Sequence, residues 1–290
     1  MTGPRRRFAR AAAAVAAAVL ALGLFLFQTA AAQVGDGMQT SCFPVAQRFV
    51  PRAVPVAYRA AQADALPTLP KGTVQLTYLG HSSFLIRTPA NATTITDYNG
   101  MNRADFAPDI VTMNHAHSSH YTDFIEPGVK HILRGWATPP DGYPRHDLRF
   151  RDLRVRNVAT NIRDGFGGTE LAGNSIFIFE TQGLCIAHFG HLHHHLDADR
   201  LGRMGQIDLA MVPVDGSMTL PPEDMAAAVA ALGPKMVVPM HVFGPGSLNH
   251  FLTLMEKRGY QLRRTGGPEA IITRNELRRR SVLVFPDELF

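Results

Sequence analysis

Three histidines stand within six residues directly after a short apolar run, at Met113-Asn114-His115-Ala116-His117-Ser118-Ser119-His120. Residues i and i+2 of an extended backbone project to the same side, and neutral imidazole is the commonest nitrogen ligand of zinc. Solvated loop histidines are common singly, whereas three at a strand end favour a bound metal. The spacing therefore predicts a metal site built on the loop that follows a buried strand.

Short apolar or alternating runs bounded by Gly, Asn and Asp predict strands, and helices alternate with them in the second half of the chain. A helix is predicted from Pro221 to Gly233, with proline at its start and glycine just past its end. This order indicates an α/β fold. The predicted strands are 74–79, 83–87, 93–96, 109–113, 148–158, 174–180, 184–188, 209–214 and 236–240, and a second helix is predicted at 247–257.

The N-terminus has the pattern of a secretory signal peptide, residues 1–32, with four arginines before an Ala/Leu/Phe-rich run and an Ala-rich exit. A membrane anchor is the alternative, although the apolar run is short for spanning. Arg5-Arg6-Arg7-Phe8 also resembles a twin-arginine export signal. We therefore expect a periplasmic or secreted protein, without stable membrane insertion after cleavage. The proline-rich residues 33–72 form an irregular arm, and a single domain follows at 73–290.

Composition restricts the class of partner. The 290 residues are 46% hydrophobic and 18% charged, which permits a large core. Removing residues 1–32 lowers the net charge from +5 to +1, so the basic character gives no support for nucleic-acid binding. Cys42 and Cys185 are the two cysteines. An exported chain can pair them, and the alternative is that Cys185 is a buried small hydrophobic residue.

The order of motifs from Val74 to His241 resembles the metallo-β-lactamase superfamily, and in particular its lactonase-like and phospholipase-D-like hydrolases. The resemblance implies a single-domain αββα sandwich with metal ligands on loops at strand ends. The segments that carry it are Leu76-Thr77-Tyr78-Leu79-Gly80-His81-Ser82-Ser83-Phe84, Ile95-Thr96-Asp97, the three-histidine loop, Asn174-Ser175-Ile176-Phe177, His188-Phe189-Gly190-His191 and Val237-Val238-Pro239-Met240-His241.

The resemblance also implies roles for individual residues. His115 and His117 match the first metal site of the family, and His120 and His241 match the second. His81 is placed as a substrate or oxyanion contact and Asp97 as the residue that orients a ligand histidine through its other ring nitrogen. Zinc, as one or two ions, is the expected cofactor, with iron or manganese as alternatives.

Three departures from the family pattern concern the metal site. Ser119 stands where the family has an aspartate ligand, and His191 stands where it has a bridging aspartate; neutral imidazole is a poor bridge. The family's remaining first-site histidine falls at Asn161 or Arg163. A catalytic zinc needs about three protein ligands and an open position, and His115, His117 and His191 are expected to supply them.

The leading hypothesis is an exported metal-dependent hydrolase that uses metal-bound hydroxide on an ester, lactone, amide or phosphodiester bond of a small or lipid-like molecule. A catalytically inactive binding protein of the same fold is the first alternative. A metal carrier that uses the histidines from His191 to His195 is the second. The substrate, the number of metal ions and the oligomeric state stay open, because one chain does not specify the pocket loops.

Overall fold

The computed structural model describes residue 42, residues 66–138 and residues 142–286. The predicted signal peptide and most of the predicted arm lie outside the described residues. The described strands are β1 Thr73–Gly80, β2 Ser83–Arg87, β3 Thr93–Ile95, β4 Ile110–Met113, β5 His131–Arg134, β6 Asp147–Phe150, β7 Leu153–Arg163, β8 Thr169–Thr181, β9 Leu184–His188, β10 Leu209–Pro213, β11 Met236–Met240, β12 Gln261–Arg264, β13 Glu269–Thr273 and β14 Ser281–Val284; the described helices are α1 Ala198–Met204, α2 Pro222–Leu232 and α3 Pro245–Glu256.

The strands form two sheets. The six-stranded sheet has the order β13-β1-β2-β3-β4-β5, and the eight-stranded sheet has the order β12-β14-β11-β10-β9-β8-β7-β6. Strands β3, β4 and β5 run parallel, as do β9, β10, β11, β14 and β12. Parallel strands bring several carboxyl ends to one edge of each sheet, where loops can assemble a site.

Alternation along β1 and β2 produces the core between the sheets. Leu76 of β1 and Phe84 and Ile86 of β2 point into it and are fully buried. Successive side chains of a strand face opposite sides. Leu85 therefore joins a separate cluster on the outer face, which loop residues including Tyr121 and Trp136 cover.

The inner strands of the eight-stranded sheet, β9, β10, β11, β14 and most of β8, are buried on both faces. In β8, Phe177 faces the core between the sheets, and its neighbour Ile178 faces the second core under the helices. Met225 of α2 and Phe251 of α3 pack in that second core. Burial on both faces explains the continuous apolar runs of these strands.

Helix α2 follows the prediction, because Pro222 lies in its first turn and Gly233 ends it in the left-handed conformation at φ 68°. The predicted strand 148–158 was wrong. Arg151 adopts φ 54° there and turns the chain, so that β6 and β7 form an antiparallel hairpin. Among the described residues, no helix is long and apolar enough to span a membrane.

Cys42 and Cys185 form a disulfide with their Cα atoms 5.8 Å apart. Both side chains are buried in the core under the helices, and the Cys42 carbonyl accepts a hydrogen bond from the Gln206 amide. The pairing left open by the sequence is thus present. It attaches a residue of the predicted arm to strand β9.

Candidate metal centre

Most of the predicted site residues come together where strands end. His81 follows β1, and Asp97 lies two residues after β3. His115 and His120 lie on the loop after β4. The other side of the cluster comes from the eight-stranded sheet, with His191 after β9, Asp215 after β10 and His241 after β11.

Three of these positions have an unusual backbone. His81, Asp97 and His241 adopt φ values of 53°, 50° and 54°. Such left-handed conformations are uncommon for residues other than glycine and cost of order 1–3 kcal/mol each when the surroundings impose them. Each follows a strand closely, so the backbone turns sharply and directs the side chain toward the seam between the sheets.

His81, His120 and His241 form the tightest group, with one ligand atom of each lying within 4.8 Å of the others. Their ring centroids are 4.3 Å apart for His81 and His241 and 5.2 Å apart for the other two pairs. The Nε2 atoms of His81 and His120 are buried and have no hydrogen-bond partner among the described residues. Buried polar atoms are normally satisfied, so these two nitrogens fit the role of metal ligands.

Two buried carboxylates orient this trio. Asp97 Oδ2 lies 2.5 Å from His120 Nδ1, and Asp215 Oδ1 lies 3.0 Å from His241 Nδ1. A carboxylate accepts a hydrogen bond from Nδ1–H and so keeps the proton on that nitrogen, which leaves the lone pair on Nε2 free for a metal. Metal-binding histidines in proteins almost always have such a partner.

The environment keeps the donors in the form that binds metal. Burial, and then the neighbouring His241 and His120, lower the pKa of His81 to about 4. Burial alone would raise the pKa of both carboxyl groups. The imidazole of His120 nevertheless holds the pKa of Asp97 below its usual value, and the hydrogen bond from His241 does the same for Asp215. At neutral pH His81 is therefore a neutral imidazole, and ionised carboxylates lie behind His120 and His241, a set of donors that suits zinc and similar divalent metals.

Asp215 was missed by sequence reasoning. It lies two residues after β10, is 7% exposed, and also accepts the backbone amides of Ser217, Met218 and Thr219. The available signal was an acidic residue directly after an apolar strand and before Gly216, in line with the other strand-end residues. That signal is weak, because acids often end strands without a function.

The histidines predicted for the first site are more loosely arranged. His115 is half-buried, and its Nδ1 donates to the Gly173 carbonyl at 2.8 Å. His117 is exposed, with Nδ1 2.9 Å from Ser119 Oγ. Their ring centroids are 6.2 Å apart, and His191 lies 5.3 Å from His115. Within residues 66–138 and 142–286, no second trio brings its ligand atoms as close as the first.

His191 lies at the centre of the cluster, with its ring centroid 4.6 Å from that of His120 and 5.1 Å from that of His241. Its backbone amide donates to Asn174 Oδ1 at 2.9 Å. Burial, followed by the neighbouring histidines, lowers its pKa strongly. The imidazole is therefore neutral at physiological pH.

Gly190 makes this placement possible. Its φ of +59° is left-handed, and a Cβ there would lie 2.5 Å from Asn114 Cβ and 2.6 Å from Asn174 Oδ1. Both contacts are too close for real atoms. Glycine is therefore required by both backbone conformation and space.

The two candidates for the absent mid-chain histidine have structural contacts instead. Asn161 Oδ1 accepts the Ala172 amide at 3.1 Å. The guanidinium of Arg163 donates to the carbonyls of His193, Met218 and Thr219. In this arrangement both side chains hold neighbouring segments together.

A cleft of about 590 Å³ opens beside the trio. Its lining is mainly apolar, and none of its lining residues is acidic or basic apart from His81. Phe243 is 61% exposed and stacks on His81, with ring centroids 5.9 Å apart. The lining residues are His81, Val242, Phe243, Gly244, Pro245, Leu248 and Asn249.

Comparison with known proteins agrees with this architecture. The sequence profile of the β-lactamase superfamily domain matches residues 75–241, more than half of the chain. A UPF0173 metal-dependent hydrolase from Lysinibacillus sphaericus is 28% identical over 196 residues, covering 58% of this chain and 85% of the relative. A second from Pelotomaculum thermopropionicum is 26% identical over 191 residues, covering 58% and 84%.

The crystal structure of a Thermotoga maritima protein, assigned as a Zn-dependent hydrolase of the metallo-β-lactamase superfamily, has a similar fold. The TM-score is 0.55 at 23% sequence identity, and the match covers 73% of this chain and 98% of that protein. The sandwich predicted from the motif order is thereby confirmed.

Proposed function

Because the chain belongs to the β-lactamase superfamily, we propose that it is a metal-dependent hydrolase whose metal is held by His81, His120 and His241. The observation that carries this proposal is the geometry of the trio. Three imidazoles bring ligand atoms within 4.8 Å of one another, and two of the buried nitrogens lack partners among the described residues. The UPF0173 relatives, whose names describe metal-dependent hydrolases, support the same activity.

A divalent metal in this position supplies a Lewis acid that polarises a carbonyl oxygen and activates water near neutral pH. The chain supplies the positioning. Asp97 and Asp215 fix the ring orientation and proton position of His120 and His241. His81, His120 and His241 would hold the metal, and three protein ligands are the number that a catalytic zinc with an open position requires.

We propose one metal ion, with zinc as its identity. Ser119 replaces the carboxylate that the family pattern has in the ligand loop, and its hydroxyl is engaged with His117. His191 replaces the bridging carboxylate. The carboxylates at the positions of Ser119 and His191 would offset the repulsion between two divalent cations. Because both are replaced, a second cation is not stabilised beside the first.

The cleft favours an uncharged substrate. A phosphodiester carries a negative charge, and sites that bind phosphate use Arg, Lys or backbone amides. The cleft beside the trio has no Arg or Lys among its lining residues, and Val242, Phe243 and Leu248 give it an apolar wall. We therefore propose a carbonyl substrate, an ester or lactone with an apolar substituent.

Export to the periplasm or exterior is also proposed. The N-terminal sequence supports it through its arginines, apolar run and small-residue exit. The Cys42–Cys185 disulfide supports it independently, since disulfides persist in oxidising compartments.

The test is metal content by inductively coupled plasma mass spectrometry after zinc reconstitution, together with hydrolysis of p-nitrophenyl butyrate and bis(p-nitrophenyl) phosphate. The native protein is expected to bind about one equivalent and to cleave the carboxylic ester in preference to the phosphodiester. His120→Ala is expected to lose the metal. His250→Ala is the control, because that histidine is exposed on α3 and pairs with Glu223.

Retention of zinc by His120→Ala would refute the proposed ligand set. Stoichiometric zinc with no turnover of ester, lactone, amide or phosphodiester substrates would support the alternative of a binding protein. Preference for the phosphodiester would contradict the argument from the uncharged cleft.

A further inference from the structure

Two consecutive hydrogen bonds lead from a backbone amide into the histidine cluster. The Arg163 amide nitrogen lies 2.8 Å from His193 Nδ1. His193 Nε2 lies 2.7 Å from His191 Nδ1. Both rings are buried, at 8% exposure for His193 and 7% for His191.

The Arg163 amide determines which atom donates and which accepts in both hydrogen bonds. A backbone N–H can only donate, so His193 Nδ1 must accept and carries no proton. The proton of His193 is therefore on Nε2, from which it is donated to His191 Nδ1. His191 Nδ1 accepts in turn, so the proton of His191 is on Nε2. Protonation of Nδ1 on either ring would place N–H against N–H.

This proton position is opposite to that of His115, His120 and His241. The Gly173 carbonyl, Asp97 and Asp215 accept hydrogen bonds from the Nδ1–H groups of His115, His120 and His241 respectively, which leaves Nε2 of each ring with a lone pair. In His191 the lone pair is on Nδ1 and is already engaged. Neither nitrogen of His191 then offers a lone pair to a metal.

We propose that His191 is a substrate-binding residue that donates Nε2–H to an oxygen of the substrate, and that His193 is the residue that positions it. The ligand class is a carbonyl oxygen, or the oxyanion that forms from it. This inference rests on the proposed hydrolase function. It assigns to His191 a role different from the metal ligand expected from the sequence.

The location of His191 suits that role. Its ring lies against His120 and His241, so a carbonyl reacting beside the trio is adjacent to it. The described residues offer no hydrogen-bond partner to its Nε2. Donors arranged in advance for a developing oxyanion are worth about 10²–10³-fold in kcat when one is removed.

The side chain of Arg163 holds the start of these hydrogen bonds in place. Its guanidinium donates to the carbonyls of His193 and Thr219 at 3.2 and 3.1 Å, so the backbone of Arg163 is tied to the segment that carries His193. The Asn174 side chain fixes the other end through the His191 amide. The tautomer of His191 is therefore set by the fold, without a charged partner.

The first experiment is long-range ¹H–¹⁵N correlation NMR of the ¹⁵N-labelled, zinc-loaded protein. His191→Phe identifies the signals of that ring. We expect a protonated Nε2 and an unprotonated Nδ1 on His191 in the native protein. In His193→Phe the His191 ring no longer receives a hydrogen bond at Nδ1, and a mixture of its two tautomers is expected. A native His191 protonated on Nδ1 would overturn the proposal.

The second experiment compares zinc content and hydrolysis of p-nitrophenyl butyrate. His191→Phe is expected to keep its zinc and lose about 10²-fold in kcat. His191→Gln, which has an amide donor, is expected to recover part of that loss. His193→Phe is expected to lose about 10-fold, the lower end for residues that orient a ligand or donor. His195→Phe, 65% exposed on the same segment, is the control and should match the native protein.

Loss of zinc from both His191 variants would show that His191 is a ligand and would overturn the inference, while leaving the hydrolase proposal intact. Retention of zinc by His120→Ala would instead refute the proposed metal site. The NMR result on His191 is still decisive in that case. The two proposals can thus fail separately.

Discussion

Asp97→Asn is the substitution that tests the metal centre most directly. The native carboxylate accepts two hydrogen bonds, from His120 Nδ1 at 2.5 Å and from the Asn114 amide at 3.2 Å. An asparagine offers one acceptor oxygen and one donor NH₂. One of the two native donors must then face another donor, unless His120 moves its proton to Nε2 and loses its lone pair for the metal.

The magnitude follows from that loss. A hydrogen bond to a charged group contributes about 1.5–3 kcal/mol. Every 1.4 kcal/mol is about tenfold in affinity, so the dissociation constant should rise by about 10–100-fold. The same range is typical when a carboxylate behind a metal-binding histidine is removed. Asparagine tolerates left-handed backbone, so the φ of 50° at this position adds no strain of its own.

The assay is competition for zinc against a chromophoric chelator. Asp109→Asn is the control, because Asp109 is also a buried aspartate, its carboxylate accepts hydrogen bonds from the Thr93 amide and hydroxyl and from Lys130 Nζ, and it contacts no histidine of the cluster. Its substitution should lower stability and leave zinc affinity unchanged. A zinc dissociation constant in Asp97→Asn within twofold of the native value would refute the reasoning.

Three further predictions concern the fold and its titration. Replacing Cys42 and Cys185 by serine opens a loop with a sequence separation of 143 and should lower the free energy of unfolding by up to about 5 kcal/mol on the chain-entropy argument, as measured by urea denaturation. Gly190→Ala should lower the melting temperature, since a Cβ has no room there. By contrast, Gly202 lies in open space within α1, and Gly202→Ala should raise the free energy of unfolding by about 0.5–1 kcal/mol. Equal changes in stability for the two glycine substitutions would contradict the packing argument. The metal-free protein should lose stability as pH falls from about 6.5 toward 4. In this range His81 becomes protonated in the unfolded state, whereas in the folded state its pKa of about 4 keeps it neutral. A melting temperature that does not change with pH in this window would contradict the prediction.

Much of the fold could be predicted from the sequence, because the local residue patterns agree with the packing of the strands. β2, β9 and β11 occupy the predicted ranges 83–87, 184–188 and 236–240. Each is a short apolar run bounded by a turn signal. The hairpin of β6 and β7 was missed because its turn, at Arg151, has no glycine to mark it.

The candidate site was only partly predictable for a physical reason. Residue types in HxHxxH spacing reveal that a loop can bind metal, and the resemblance placed Asp97 behind a ligand histidine. The grouping of His81 with His120 and His241 depends on how the two sheets face each other, which no local pattern encodes. Proton positions, such as that of His191, depend on contacts between segments far apart in the chain.

The proposed metal centre joins two parts of the molecule. His81, Asp97 and His120 follow strands of the six-stranded sheet, and Asp215 and His241 follow strands of the eight-stranded sheet. A metal bound by this trio is therefore a removable cross-link between the sheets. Free metal at a thousand times its dissociation constant adds about 4 kcal/mol to folding stability. Resistance to proteases in the surrounding compartment should consequently follow the local metal supply, so that starvation for metal removes the protein as well as its activity.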